Sequence, residues 1–179
     1  EKTLKAMNDP EDAARTLELA RKINDKIGGY LAAKTLVNVV LGLISYAILL
    51  MLGIAHPAFW AILIGLLNYI PYIGSIIAVF FPVTISLIQF GSFGHAALAL
   101  ITLMTPQMII AYYIEPKYLG QSDNLSPFSV LLALALWTEL WGMTGAILAV
   151  PLTAMVMIIL AEIPNTRWLA VMMSENGQI

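Results

Sequence analysis

The sequence predicts an all-α, polytopic membrane protein made of two units, each a full span followed by a broken hairpin, arranged as an inverted repeat. Three observations carry this. From residue 35 to residue 114 there is no Asp, Glu, Lys or Arg, a gap of 80 residues. A water-facing surface needs charge every few positions, whereas each charge at the centre of a membrane helix costs about 2.5–3.5 kcal/mol. The 179 residues are 60% hydrophobic and 11% charged, with mean hydropathy +0.84, against about 25% charged in soluble domains. Finally, Pro and Gly cut the apolar stretches at matching places in the two halves.

Charge is concentrated at the start, where 12 of the 20 charged residues fall within the first 26 positions. Residues 1–29 therefore read as a cytoplasmic amphipathic helical segment. Asn8-Asp9-Pro10-Glu11-Asp12 is a helix start, with Asp9 as cap, Pro10 in the first turn and acids at the positive helix end. Ala13, Leu17, Ala20, Ile23 or Asn24, and Ile27 recur at helical spacing. Gly28-Gly29 is read as a hinge before the membrane. The chain opens Glu1-Lys2-Thr3 without an initiator Met or a signal peptide, and is expected to begin inside a longer protein.

The transport domain is placed at residues 30–163, with a cytoplasmic tail at 164–179. Residues 30–52 are long enough to cross a hydrocarbon core of about 30 Å at about 1.5 Å per residue. The next apolar piece starts at His56-Pro57 and stops at Pro71, about 21 Å of helix and short of a crossing. Apolar sequence resumes to Phe90, giving a broken hairpin over 57–90. After a turn at Gly91-Ser92-Phe93-Gly94, residues 95–114 form the second span. A polar loop from Gly120 to Ser126 leads into the second hairpin, 126–162, interrupted at Thr138-Glu139-Leu140-Trp141-Gly142.

The hairpins resemble each other. Gly74-Ser75-Ile76-Ile77-Ala78-Val79, then Pro82-Val83-Thr84, matches Gly145-Ala146-Ile147-Leu148-Ala149-Val150-Pro151-Leu152-Thr153. Pro57 precedes its glycine by 17 residues and Pro127 by 18. Arg15, Arg21, Lys22, Lys26 and Lys34 put the first span's start in the cytoplasm. If each hairpin enters and leaves on one side, the uncharged loops 53–56 and 91–94 lie outside, and Lys117 and Arg167 inside. Two full crossings per hairpin fit the charges equally well, so re-entry rests on length. Broken hairpins of this kind build solute and ion sites in secondary transporters, because their freed backbone groups are tolerated only against protein or a water-filled cavity.

The candidate pathway residues follow from these breaks. Glu139, six residues before Gly145, is matched with Asn68, six before Gly74. A carboxylate at a hairpin break is a proton carrier or cation ligand; the plainer role is a surface or helix-capping position near Thr138. Asn68, Tyr69 and Tyr72, around Pro71 and ahead of Gly74, offer amide and hydroxyl groups to a polar solute. The plainer roles are satisfying backbone freed by Pro71 and anchoring at the interface. Trp137 and Trp141, near Gly142, line a pathway or belong to the aromatic belt. Glu115 and Lys117 straddle Pro116 as an ion pair or gate, or simply face water. Gln107 lines a cavity or bonds between helices. His56 and His95 lack a third ligand, so no metal site is expected.

The absence of cysteine excludes disulfides and thiolate chemistry. Net charge is −2, and nothing points to nucleic acid. No Ser-His-Asp set, phosphate loop or HExxH motif occurs, so an enzyme is not expected. The segments Ile114-Glu115-Pro116-Lys117-Tyr118-Leu119-Gly120, Leu125-Ser126-Pro127, Gly142 through Thr153, and Asn68-Tyr69-Ile70-Pro71-Tyr72-Ile73-Gly74 resemble the autoinducer-2 exporter family, in order and over most of residues 20–160. The resemblance implies the C-terminal half of a bacterial inner-membrane transporter. It also implies export of the quorum-sensing signal autoinducer-2 for some members, cation/proton antiport for others, and a homo-oligomer, a pentamer. The family often has a small or apolar residue where this chain has Glu139.

The functional expectation is a secondary transporter exporting a small polar solute through the two hairpin breaks. The alternatives are a sodium/proton antiporter using Glu139, and a passive channel or membrane scaffold. Beyond the lipid bilayer, the expected partners are a small polar solute or monovalent cation and further copies of the chain. No cofactor is expected, apart from coupling to protons or sodium.

Overall fold

The computed structural model describes residues 10–119 and 124–177. Helix α1, Pro10–Met51, runs 42 residues without interruption, about 63 Å at 1.5 Å per residue. The expected hinge at Gly28-Gly29 does not form; both glycines sit inside α1 in open space. Two helical glycines cost only about 1 kcal/mol each, which the apolar run that follows outweighs. The proposed Asp9 cap and the Gly120 end of the polar loop lie outside the described residues.

After α1, a loop leads to α2 (Pro57–Leu67), started by Pro57 at the first turn. Helix α3 (Ile73–Phe90) returns alongside it. The return is fixed at both levels. Gln89, near the end of α3, donates from Nε2 to the Gly53 carbonyl at 2.8 Å and accepts from the Ala55 N–H at 2.8 Å. Midway, the Trp60 and Phe81 rings stack at 6.2 Å. These contacts make α2 and α3 an antiparallel hairpin.

Helix α4 (Phe93–Ile109) is capped by Ser92, whose hydroxyl accepts from the His95 N–H. It passes through a π-helical turn, Ile110–Ile114, into α5 (Glu115–Leu119). The widened turn has a local cause. Pro116 has no N–H to return to residue 112, and the Glu115 N–H reaches Ile110 O, five residues back. Helix α4–α5 runs antiparallel to α1: His95 Nε2 lies 3.1 Å from Leu52 O at one end, and Glu115 meets Lys34 at the other.

Helix α6 (Pro127–Glu162) is two arms rather than a rod. Gly142 has φ 61° and ψ −141°, outside the helical region. Trp137 Nε1 donates to Thr153 Oγ1 at 2.9 Å across 16 residues, which a straight helix would hold about 24 Å apart. Ala133 and Leu134 pack with Ala146 and Ala149, and Val130 with Ala154 and Met157. The arms are therefore antiparallel, 127–141 and 143–162. Helix α7 (Arg167–Met173) returns to the base, where Ser126 N donates to Met173 O and Glu175 N to Asn124 O.

Among the described residues, four helical stretches are long and apolar enough to cross a membrane: Ile27–Met51, Ile73–Phe90, Phe93–Tyr118 and Pro127–Ala161, the last being the folded-back hairpin. Their outer faces carry exposed Leu43, Phe80, Ile88, Ile101 and Leu132, and the shorter α2 carries exposed Ile62. Exposed apolar area on this scale needs lipid or protein against it. The chain is an all-α polytopic membrane protein.

Candidate functional site: a buried polar cluster at the first hairpin tip

The segment between α2 and α3 is strained. Tyr72 has φ 57° and ψ −58°, and Ile73 N–H donates to Pro71 O at 2.6 Å. This is a three-residue γ-turn of the rare positive-φ kind, with a cost of order 1–3 kcal/mol. Strain of this kind clusters at functional sites. Most of the freed backbone is nevertheless spoken for. Leu66, Leu67 and Ile70 carbonyls accept from Tyr69, Ile70 and Gly74, and Tyr72 O accepts from Ser75 Oγ at 3.0 Å. The groups at the tip that reach the neighbouring spans are side chains.

Those side chains form a cluster with the spans, buried at Lys34, Asn38 and Asn68, partly buried at Tyr69 and Glu115, and exposed at Thr35. Lys34 of α1 pairs with Glu115 of α5, their side chains 6% and 19% exposed. Asn68 Nδ2 donates to Asn38 Oδ1 at 2.8 Å and lies 3.5 Å from Glu115 Oε1. Thr35 Oγ1 donates to Leu31 O at 2.6 Å, so the 2.7 Å contact between Thr35 and Tyr69 has the phenol as donor. One buried amide of the cluster, Asn38 Nδ2, lacks a partner among the described residues. Helix rise brings these groups together: Asn38 is about 20 Å along α1 from Met51, and Asn68 about 16 Å along α2 from Pro57.

The cluster corrects the reading of Glu115. It neither faces water nor pairs with Lys117, which is exposed; the π-helical turn directs it inward to Lys34. Three members are not singled out by the sequence: Lys34 reads there only as a topology marker, and Thr35 and Asn38 go unmarked, although the i, i+4 spacing of Lys34 and Asn38 on an otherwise apolar span puts them on one face.

The other predicted residues lie apart. Gln107 is buried in α4. Trp137 is held by Thr153 and packs on Trp141 at 5.3 Å. Glu139 is exposed on the second hairpin, beside exposed Leu140 and Trp141, and has no hydrogen-bond or ion-pair partner among the described residues. Gly142 makes the second break. The hairpins do meet, because Ile70 of the first tip packs on Ala133, Leu134, Ala146 and Ala149.

The match between Asn68 and Glu139 also shifts. A Cβ on Gly74 would lie 1.8 Å from Leu67 O, and one on Gly145 1.8 Å from Trp137 O. Leu67 and Trp137 each lie ten residues after the hairpin's first proline, so they are equivalent. Asn68 then corresponds to Thr138, and Tyr69 to Glu139; the second break has one extra residue before its glycine.

The AI-2E family transporter profile matches residues 1–165. This chain belongs to the AI-2E transporter family. A Borreliella burgdorferi relative, provisionally named a transport protein, is 40% identical over 148 residues, 82% of this chain and 40% of its own length. The Escherichia coli K12 AI-2 transport protein TqsA is 34% identical over 151 residues, 84% of this chain and 44% of its own. A Haemophilus influenzae relative with the same provisional name is 33% identical over 166 residues, 93% of this chain and 47% of its own. The chain thus spans less than half the length of these relatives. Family membership and the apolar helices make it a multi-pass inner-membrane protein.

Proposed function

We propose that this chain forms part of a secondary transporter that exports a small polar solute, of the kind named for the AI-2 transport protein TqsA. The observation that carries this reading is the Lys34–Glu115 pair, held with Asn68 at the tip of a broken hairpin. Ionised groups at membrane depth are costly and mark solute or ion pathways. The pair closes the path while Asn68 and Asn38 hold it, and the strained Tyr72 turn lets the tip move. In the proposed topology the second hairpin is re-entrant, its first arm being about 22 Å long against a core of about 30 Å. Helix α3, by contrast, is long enough to cross and carries the first tip to the level of Lys34. The exposed second hairpin, with Glu139, faces another copy of the chain.

Sodium/proton exchange is the second reading. It is favoured by Glu115, a carboxylate buried beside an ammonium group that a sodium ion would replace. Flux in proteoliposomes of the intact protein tests both. Solute export that falls with Glu115→Gln and Asn68→Ala supports the first reading. Solute flux indifferent to both variants overturns it. Sodium-driven proton movement lost in Glu115→Gln supports the second, and flux that follows no ion gradient points to a passive channel.

A further inference from the structure

Hydroxyls in the first unit fall into two groups. Thr35, Thr84, Thr102 and Thr105, exposed or half-buried, each donate to the carbonyl four residues back on their own helix. This satisfies a helical hydroxyl without water. Ser45 of α1 and Ser86 of α3 differ. Both are at most 1% exposed, and neither hydroxyl has a partner among the described residues. The buried amides of Asn38 and Gln107 are in the same condition at Nδ2 and Nε2. Two acceptors join these groups, because Pro82 and Pro106 have no N–H to return to Ala78 O and Thr102 O. Buried polar groups of native proteins are paired, and where no protein group serves, ordered water does. Among the described residues the second hairpin has no such unmet side-chain atom.

These groups form a ladder through the bundle. Lys34 and Glu115 set one level, from which Asn38 stands about 6 Å up α1 and Ser45 about 16 Å. On α4, Gln107 is about 12 Å and Thr102 about 20 Å above Glu115. Gln89 fixes α3 at the level of Gly53, which puts Ala78 at about 12 Å and Ser86 at about 24 Å. The series ends where His95 Nε2 meets Leu52 O, at about 28 Å. Successive levels are thus about 4–6 Å apart in height, close to the span of about 5–6 Å that one water covers when bonded on both sides. Small side chains leave room for it. The inward stripe of α3 is Gly74, Ala78, Pro82 and Ser86, and Ala78 shares its core with Ala99 of α4.

We infer that the first unit holds a file of bound water running from Glu115 to the end beside His95, and that Glu115 takes up and releases protons along it. The inference rests on the Lys34–Glu115 pair being the transport site, as proposed above. A proton entering beside His95 passes from water to water and ends on a carboxylate oxygen of Glu115. Lys34 and Asn68 are the groups that face that carboxylate. Lys34 keeps its proton, so an ammonium group then lies beside a neutral carboxyl. The Coulomb attraction that closes the path is lost, while the serines and amides hold the water in place throughout.

The test uses the intact protein in lipid nanodiscs and hydroxyl-radical footprinting by a short X-ray pulse, read by mass spectrometry. Radicals form from water in place, so a sealed side chain is oxidised only where water lies against it. Leu41, Leu49 and Leu103 are fully buried within a helical turn or so of these groups. Each should be oxidised several-fold faster than Leu134, which is buried in the second hairpin. Equally low rates at all four overturn the file. Ser45→Ala/Ser86→Ala should bring Leu49 down to the Leu134 rate and lower the thermal midpoint, because two water-bonded hydroxyls are lost. A raised midpoint means that the hydroxyls were dry and unpaired, and also overturns the file. Proton uptake is read from the rise of the Glu115 carboxyl infrared band after an acid jump, with Glu115→Gln as the blank. The rise should slow several-fold in the serine variant and stay unchanged in Thr84→Val/Thr105→Val, whose hydroxyls bond to their own helices. Equal rates in wild type and serine variant overturn the proton role. None of these readouts measures solute flux. A wet file without export overturns the transporter reading alone, and export through a dry bundle overturns this inference alone.

Discussion

The two hairpins close in the same way and are used differently. Each begins at a proline, runs ten residues to a carbonyl, and brings that carbonyl against a glycine where no Cβ fits. Beyond that the chemistry diverges. The first tip is wired to both spans through Asn68, Asn38, Lys34 and Glu115. The second is held within itself by Trp137 and Thr153, and it presents Glu139 with exposed Leu140 and Trp141 outward. A shared backbone device therefore fixes only the fold-back. What a break can do depends on the side chains its neighbours aim at it.

The sharpest way to break this parallel is to put a methyl group on each glycine. Gly74→Ala and Gly145→Ala both place a Cβ 1.8 Å from a backbone oxygen, where no flexible side chain can give way. Each should cost more than the roughly 1–3 kcal/mol of ordinary overpacking. The expected result is loss of monodisperse protein in detergent, or a large drop in thermal midpoint, for both variants. If only Gly74→Ala fails, the hairpins do not close alike.

The difference in wiring predicts a second asymmetry. Removing one partner of a buried ion pair costs about 3–5 kcal/mol, because the other charge is stranded. Lys34→Met and Glu115→Gln should each lower the thermal midpoint strongly, and the Lys34→Met/Glu115→Leu double variant should recover most of the loss. Glu139→Gln, on an exposed surface, should leave the midpoint unchanged in monomeric detergent preparations. A large loss there would mean that the second break is also internally wired.

Backbone strain gives a third, smaller contrast. Gly142→Ala forces a Cβ residue into φ 61° and should destabilise by about 1–3 kcal/mol. Tyr72→Gly relieves the positive-φ residue at the first tip and should shift the midpoint the opposite way. Measured together, the two give the sign as well as the size of the strain.

Much of this fold was legible because membranes impose simple patterns. The 80-residue charge gap marks an all-α polytopic membrane protein, and Pro57 and Pro127 stand at the starts of α2 and α6. What was illegible was partnership. Glu115 reads as a span terminus because Pro116 and Lys117 follow it; that a π-helical turn swings it onto Lys34, 81 residues away, depends on the antiparallel packing of α1 and α4–α5. Gly28-Gly29 reads as a hinge because glycine is flexible, yet the surrounding helix overrides it. The register of the two breaks was off by one because counting back from the glycines ignores the extra residue of the second turn, and only the carbonyl each glycine receives identifies the equivalent positions.

The smallest expected effect tests whether the second hairpin is as self-contained as it looks. Trp137→Phe keeps most of the ring and removes only the indole N–H that reaches Thr153. Hydrogen bonds between membrane helices average about 0.6 kcal/mol, so the midpoint should fall slightly. Thr153→Val should cost about the same, and the double variant little more than either alone, since both remove one bond. Transport should be insensitive to all three variants, because the bond joins the arms of a single hairpin and touches neither Asn68 nor Glu115. A transport defect in Trp137→Phe with normal stability would show that the arms of the second hairpin separate during the cycle, giving the second break a mechanical role.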